Sequence, residues 1–315
     1  YRGERKGIPK QRFNDFSRLK ENNTLAPVQP LHQCRVLFIT ETHSTMRKYS
    51  LLIALLTLTV IIVNAQRREV RDVAQFRSIN FAHSGKLYLK QGSPQKVELE
   101  GDSDVLKEIE TKVSDGHLKI GRENGRFKWN MDDGKIIVYI TVPDVSAIRV
   151  SGSGAVIGQN KIKTRDLDLQ VSGSGSLELD IEASGEVEAD VSGSGNISLT
   201  GDAESLESNV SGSGKVVMDV SIDGEVEFGI SGSGKIEASG RADAIEVTVS
   251  GSGKVNAGDL KTNRCKVRIA GSGSVEINVA NELEANISGS GSVAYRGEPK
   301  KINTHASGSG KVRKI

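Results

Sequence analysis

Between Leu177 and Ile287 the chain places apolar residues on every second position, in short runs. Leu177, Leu179 and Ile181 form one run, Val187, Ala189 and Val191 the next, then Ile197 with Leu199, and Leu206, Ser208 and Val210 after them. Val226, Phe228 and Ile230, followed by Ile245, Val247 and Val249, carry the pattern on. Alternation of this kind, rich in Val and Ile, predicts strands with one face turned inward. Two kinds of punctuation separate the runs. One is a short turn such as Glu182-Ala183-Ser184-Gly185 or Ser221-Ile222-Asp223-Gly224; the other is a quartet, Ser-Gly-Ser-Gly or once Ala-Gly-Ser-Gly. The first glycines of the quartets are Gly152, Gly173, Gly193, Gly212, Gly232, Gly251, Gly271, Gly289 and Gly308, at intervals of 18 to 21 residues. A fixed period near twenty marks a repeat architecture, each repeat reading strand, turn, strand, corner.

Two architectures satisfy that formula, an antiparallel meander and a β-solenoid. A meander would need about eighteen strands in one open sheet, more than a twisted sheet usually sustains. The expected fold is therefore all-β, a single-stranded β-solenoid like a parallel β-helix, with about nine coils of ~20 residues stacked like on like. In such a coil the quartet is a corner rather than a linker. Glycine tolerates positive φ, and a small serine fits beneath the coil above, with its hydroxyl available to the turn or to the serine one layer away. With coils ~4.8 Å apart, nine corners span roughly 40 Å.

Ahead of the repeat the pattern loosens. Residues 66–150 remain β-like, with KLYLKQG, VELEG, HLKIG and IIVYITVP as strand candidates and Val105 to Val113 as a possible helical turn, and they read as an N-terminal cap or first irregular coils. Residues 46–65, MRKYSLLIALLTLTVIIVNA, have the basic start, thirteen-residue apolar centre and small-residue end of a secretory signal peptide. An uncleaved membrane anchor is the alternative, although thirteen apolar residues are short for a bilayer span. On this reading translation starts at Met46, residues 1–45 are untranslated or unstructured, and the mature chain runs from Gln66 with no transmembrane span. The organisation expected is thus 1–45, signal peptide 46–65, cap 66–150 and repeat body 151–315.

Trimming changes the charge. The chain carries 42 Lys and Arg against 40 Asp and Glu; residues 66–315 keep 32 and 36, a net of −4. No basic stripe with interleaved aromatics remains, which argues against nucleic acid as a partner. One thiol remains, Cys265, so stability in an oxidising compartment does not rest on disulfides.

The stretch from Phe76 through SGKLYLKQG, VELEGDSDVLKEIETKVSDGHLKI and IIVYITVPDVSAIRVSGSG into the repeats resembles the bacterial head GIN domain family of autotransporter adhesins, over nearly the whole of 66–315. The resemblance implies an exported β-helical protein, with the family's Gly-Ile-Asn tripeptide replaced here by Ser84-Gly85-Lys86.

Catalytic chemistry is thinly represented. His83, His117 and His305 are far apart and lack metal-ligand spacing. Cys265 falls in the inward series with Val187, Leu206, Val226, Ile245 and Leu283, the place of a small core residue. No nucleophile elbow and no calcium nonapeptide accompany the quartets, and no cofactor motif is present. Trp129, beside Asp132 and Asp133, is expected at a hairpin tip, where a sugar-stacking role is the sharper alternative.

One constellation stands out. If coils stack in register, Asp168, Glu188, Glu207, Glu227, Glu246 and Glu284 fall in one outward file, interrupted by Lys266. Like charges on adjacent strands repel. Hydration with modestly raised pKa values is the simple account; binding of Ca²⁺ or a cationic partner along the file is the alternative. Lys215, Lys235 and Lys254 form a partial basic counter-file. Together these features predict an exported, non-enzymatic binding or structural module for a glycan or envelope component. A polysaccharide-acting β-helix enzyme and a pure spacer are the alternatives, and coils of 18 to 21 residues leave little room for the loops an enzyme needs.

Overall fold

In a computed structural model, which describes residues 67–122 and 136–315, the alternating runs are strands. Strands that lead into quartets pair in parallel and in register, so that Val187, Leu206, Val226, Ile245, Cys265 and Leu283 stack in one file. Strands that leave the quartets do the same, through Leu177, Ile197, Val216, Ile236, Val255, Val275 and Val293. Each of these residues is buried, and together they belong to a single apolar core enclosed between the two stacks. Every pairing within the repeat is parallel, which is the solenoid and not the meander. Nine corners delimit eight full coils, so the body has about eight turns where the sequence led to about nine. A corner is a boundary between coils, and boundaries outnumber what they bound by one.

The two glycines of a quartet do different jobs. The nine first glycines all have positive φ, between 104° and 125°, which a side chain would oppose. The second glycine makes room: a Cβ on Gly195 would meet Val171 Cγ1 of the neighbouring coil at 2.4 Å. Backbone bonds then tie corner to corner, as where the Ser174 amide donates to the Gly152 carbonyl at 2.9 Å and the Ser194 amide to Gly173 at 2.8 Å.

The cap comprises β1 (Arg67–Arg71), β2 (Ser78–Ala82), β3 (Lys86–Gln91), β4 (Lys96–Gly101), helix α1 (Ser103–Glu108), β5 (Ile109–Ser114), β6 (His117–Arg122) and β7 (Ile137–Val142), before β8 (Ala147–Gly152) and β9 (Ala155–Gly158) open the body. Its coils are not stacked in chain order. β2 lies between β6 and β8, and β3 between β7 and β9, all in parallel. Antiparallel strands close this end: β4 runs along β7, β1 along β4, and β5 along β6.

The helical turn expected at Val105 to Val113 is a single short helix ending at Glu108, and the rest of that segment is strand. The β5–β6 hairpin claims it. Asp115 and Gly116 both have positive φ, 51° and 76°, the signature of a tight Asp-Gly hairpin turn that pulls Ile109 to Ser114 onto β6. The signal-peptide segment, residues 1–45 and the Trp129, Asp132 and Asp133 turn lie outside the described residues.

Candidate functional site

The outward face of the stack that leads into the quartets carries the acidic file. Because Val, Leu and Ile take the inward positions of each strand, the residues between them must face solvent. Register then fixes the file: Asp168 sits beside Glu188, Glu188 beside Glu207, then Glu227, Glu246, Lys266 and Glu284 in turn. All six carboxylates expected from the sequence are brought into line, one per coil.

Their electrostatics divide the file. Glu188 has its pKa raised, first by partial burial and then by the charges of Asp190, Asp168 and Glu207. Glu227 is raised in the same way, by burial and then by Glu207, Glu225 and Glu246. Cations flank this stretch on both sides. Arg149 pairs with Asp168, while Lys266 at 3.1 Å and Arg268 both pair with Glu246. Burial would raise the Glu246 pKa, but the Lys266 hydrogen bond and the charges of Arg268 and Lys266 outweigh it and hold the carboxyl below its ordinary value.

A second outward file runs alongside, through Gln170, Asp190, Asn209, Gly229, Thr248, Arg268 and Asn286. It supplies donors to the acids. Asn209 Nδ2 donates to Glu207 Oε1 at 2.8 Å, and Asn286 Nδ2 to Glu284 Oε1 at 3.0 Å. Gly229 leaves the space this needs, since a Cβ there would stand 2.1 Å from Asn209 Oδ1. Asp190 is itself partly buried, and burial raises its pKa.

The basic counter-file is also in register, Lys215 beside Lys235 beside Lys254, but it lies on strands of the other stack. Lys215 reaches Glu237 at 2.8 Å and Lys235 pairs with the same carboxylate, whose pKa falls through those two hydrogen bonds. The surface is therefore striped, with the acidic stripe less neutralised than the basic one.

Other sequence candidates are dispersed. His83 sits at the β2–β3 corner, His117 on β6 and His305 on the strand Lys301–Gly308. Cys265 is 3% exposed in the inward file, and burial pushes its thiol up to about 12, which disarms it as a nucleophile. Among the described residues no three or more His, Cys, Asp and Glu side chains form a group arranged to hold a metal ion. A line of single carboxylates offers each ion too few ligands from one place.

Sequence reasoning placed Lys266 in the file but missed Arg149 and Arg268, the other cations that bound the acidic stretch. Arg149 belongs to the second file, directly beside Gln170, and aligning β8 with the later strands would have placed it there.

The family model described as "Putative auto-transporter adhesin, head GIN domain" matches residues 75–222 and 216–299. Among solved structures, one from Parabacteroides distasonis described as a "Putative lipid binding protein" is 24% identical, with a TM-score of 0.61, covering 80% of this chain and 98% of its own. A "putative adhesin" from Parabacteroides merdae is 19% identical, TM-score 0.62, covering 80% and 97%. A second "putative adhesin", also from P. distasonis, is 19% identical with a TM-score of 0.60, covering 79% and 96%. These likenesses show the same fold. No curated protein matches the chain.

Proposed function

Since the chain belongs to the auto-transporter adhesin head GIN domain family, we propose that it is an exported, non-enzymatic binding module that presents its repeated outer faces to a glycan or another envelope component. The observation that carries this reading is the acidic stripe. Its side chains are locked in register by the backbone, so they offer a fixed, repeating array to an extended ligand. Polymers with a repeat of their own gain from such an array because each further contact is made at high effective concentration.

Two observations favour binding over catalysis. Among the described residues the turns between strands are short, Cys265 is buried and the three histidines lie far apart. Export accords with the leader-like composition of residues 46–65. Among the described residues no helix is long and apolar enough to cross a membrane.

The test is a binding screen of the purified protein against a glycan array and a panel of envelope components. The panel includes lipids, because one structural relative is described as a lipid binding protein. Retention of at least one component is expected. A clean negative across both panels would overturn the reading in favour of a spacer. N-terminal sequencing of the exported protein, after removal of any pyroglutamate, is expected to begin at Gln66.

A further inference from the structure

The repeat is not the only surface that can hold a ligand. In the cap, a cleft of about 720 Å³ opens where four segments converge: the approach to β2, the turn between β3 and β4, the Asp115–Gly116 turn and the segment between β7 and β8. Its floor is fixed by the chain itself. The Arg77 amide donates to the Gly116 carbonyl at 3.0 Å, the Ser146 amide to the Arg77 carbonyl at 2.9 Å, and Gln95 Nε2 to the Ala74 carbonyl at 3.0 Å. On that floor stand Gln75, Arg77, Asp115, His117 and Asp144, all exposed. Among the described residues none of Arg77, Asp115 and Asp144 forms a salt bridge, although opposite charges line one cleft.

We propose that this cleft is a saccharide subsite, taking a neutral sugar of one or two rings. The volume lies within the range of small-molecule sites. One guanidinium and two carboxylates leave a net of one negative charge, which disfavours a polyanion, and among the described residues no three or more His, Cys, Asp and Glu side chains are arranged to hold a metal ion. What remains is a set of fork-shaped groups: a guanidinium that donates in pairs, carboxylates that accept in pairs and the Gln75 carboxamide that does both. Adjacent sugar hydroxyls, each donor and acceptor at once, are the partners that such a set satisfies. Pro94 and Pro143 add apolar surface at the rim for ring C–H groups. The side chains project from turns held on a braced scaffold, the usual position of a recognition site.

The inference rests on the reading of the protein as a binding module and specifies a place for it. The test titrates the full chain with lactose, maltose, chitobiose and mannobiose by calorimetry, in parallel with the glycan array. Arg77→Ala and Asp144→Ala probe the cleft, Glu227→Ala probes the acidic file as the rival site, the exposed Glu298→Ala outside both is the control, and thermal melting verifies folding. At least one disaccharide is expected to bind, at least tenfold more weakly to either cleft variant and unchanged in Glu298→Ala. Should Arg77→Ala or Asp144→Ala melt early, Arg77→Lys and Asp144→Asn take their places. Loss in Glu227→Ala with cleft variants intact would overturn the subsite and leave the binding module standing. Four negative titrations beside a positive array would have the same meaning. Four negatives beside clean negatives on both the array and the envelope-component panel would remove both.

Discussion

Gly195 and Val171 meet across two successive coils so closely that a single added carbon, a Cβ on the glycine, would stand 2.4 Å from the Val171 Cγ1. The same contact recurs between Gly214 and Val191 and between Gly234 and Val210, each at 2.4 Å. Gly195→Ala is therefore expected to destabilise the protein by about 1–3 kcal/mol, the usual range for overpacking. Val171→Ala removes the opposing methyl groups, so the double variant is expected to lose less than the two single losses added together. Urea denaturation of the four proteins measures this, and strict additivity would mean that the contact does not limit the approach of coils.

Gly152→Ala separates strain from crowding. Gly152 has φ of 104°, but nothing lies within 4 Å of a Cβ placed there. At Gly173, with φ of 110°, a Cβ would also meet the Gly152 carbonyl oxygen at 2.8 Å. Gly152→Ala is expected to cost about 1–2 kcal/mol from backbone conformation alone, and Gly173→Ala distinctly more. Equal denaturation midpoints for the two would contradict the crowding.

The acidic file makes stability depend on pH in two opposite senses. Glu227 has a raised folded pKa, so the folded state holds its proton more tightly than the unfolded chain. Its contribution is full below the ordinary glutamate value and is lost as pH rises through the raised one. Glu246 has a lowered pKa, so its contribution is present above the ordinary value and is lost as pH falls through the lowered one. Glu227→Gln is accordingly expected to raise the melting temperature at pH 7 and to converge on the parent in acid. Glu246→Gln is expected to lower it at pH 7, also converging in acid. Melting both variants across pH 3 to 8 is the measurement; shifts of the same sign at pH 7 would refute the division of the file.

Cys265 is expected to resist alkylation in the native protein at pH 8 and to react freely in denaturant, because burial lifts its thiol to about 12. The raised value implies that this group's contribution is intact below the unfolded value near 9.0 and erodes as pH climbs toward 12. Cys265→Ala, which removes only the sulfur from a packed file, should cost about 1–2 kcal/mol. Rapid labelling of folded protein would place the thiol outside the core.

Calcium distinguishes hydration of the acidic stripe from site binding. With one carboxylate per coil and no converging third ligand, millimolar calcium is expected to shift melting no more than sodium chloride of equal ionic strength. A calcium-specific rise, absent from a Glu207→Gln and Glu227→Gln double variant, would restore cation binding along the stripe.

The stacking was legible because the repeat supplies its own alignment. Once the quartets are superimposed, Asp168, Glu188, Glu207, Glu227, Glu246, Lys266 and Glu284 fall together without knowledge of any contact. The cap offers no such ruler. Nothing local in Ser78–Ala82 announces that its neighbours will be His117–Arg122 on one side and Ala147–Val150 on the other. The cleft inherits that opacity, since Arg77, Asp115 and Asp144 approach one another only through these distant pairings. Individual strands such as Lys86–Gln91 and Ile137–Val142 were readable there, and Asp115-Gly116, as a hairpin turn, argued against carrying a helix to Val113.

The interleaving of β2 and β3 between later strands bears on how the molecule comes into being. A winding of the body can settle on the one made just before it, so that part grows by increments as chain emerges, each step closing only a short loop. The β2–β3 winding has no such seat: both of its flanks are supplied by residues synthesised afterwards. Its apolar side chains, among them Phe81 and Leu89, must wait until β8 and β9 exist. The cap is therefore expected to close as one unit, whereas each winding after Gly158 needs only the one before it, like brickwork laid on a footing.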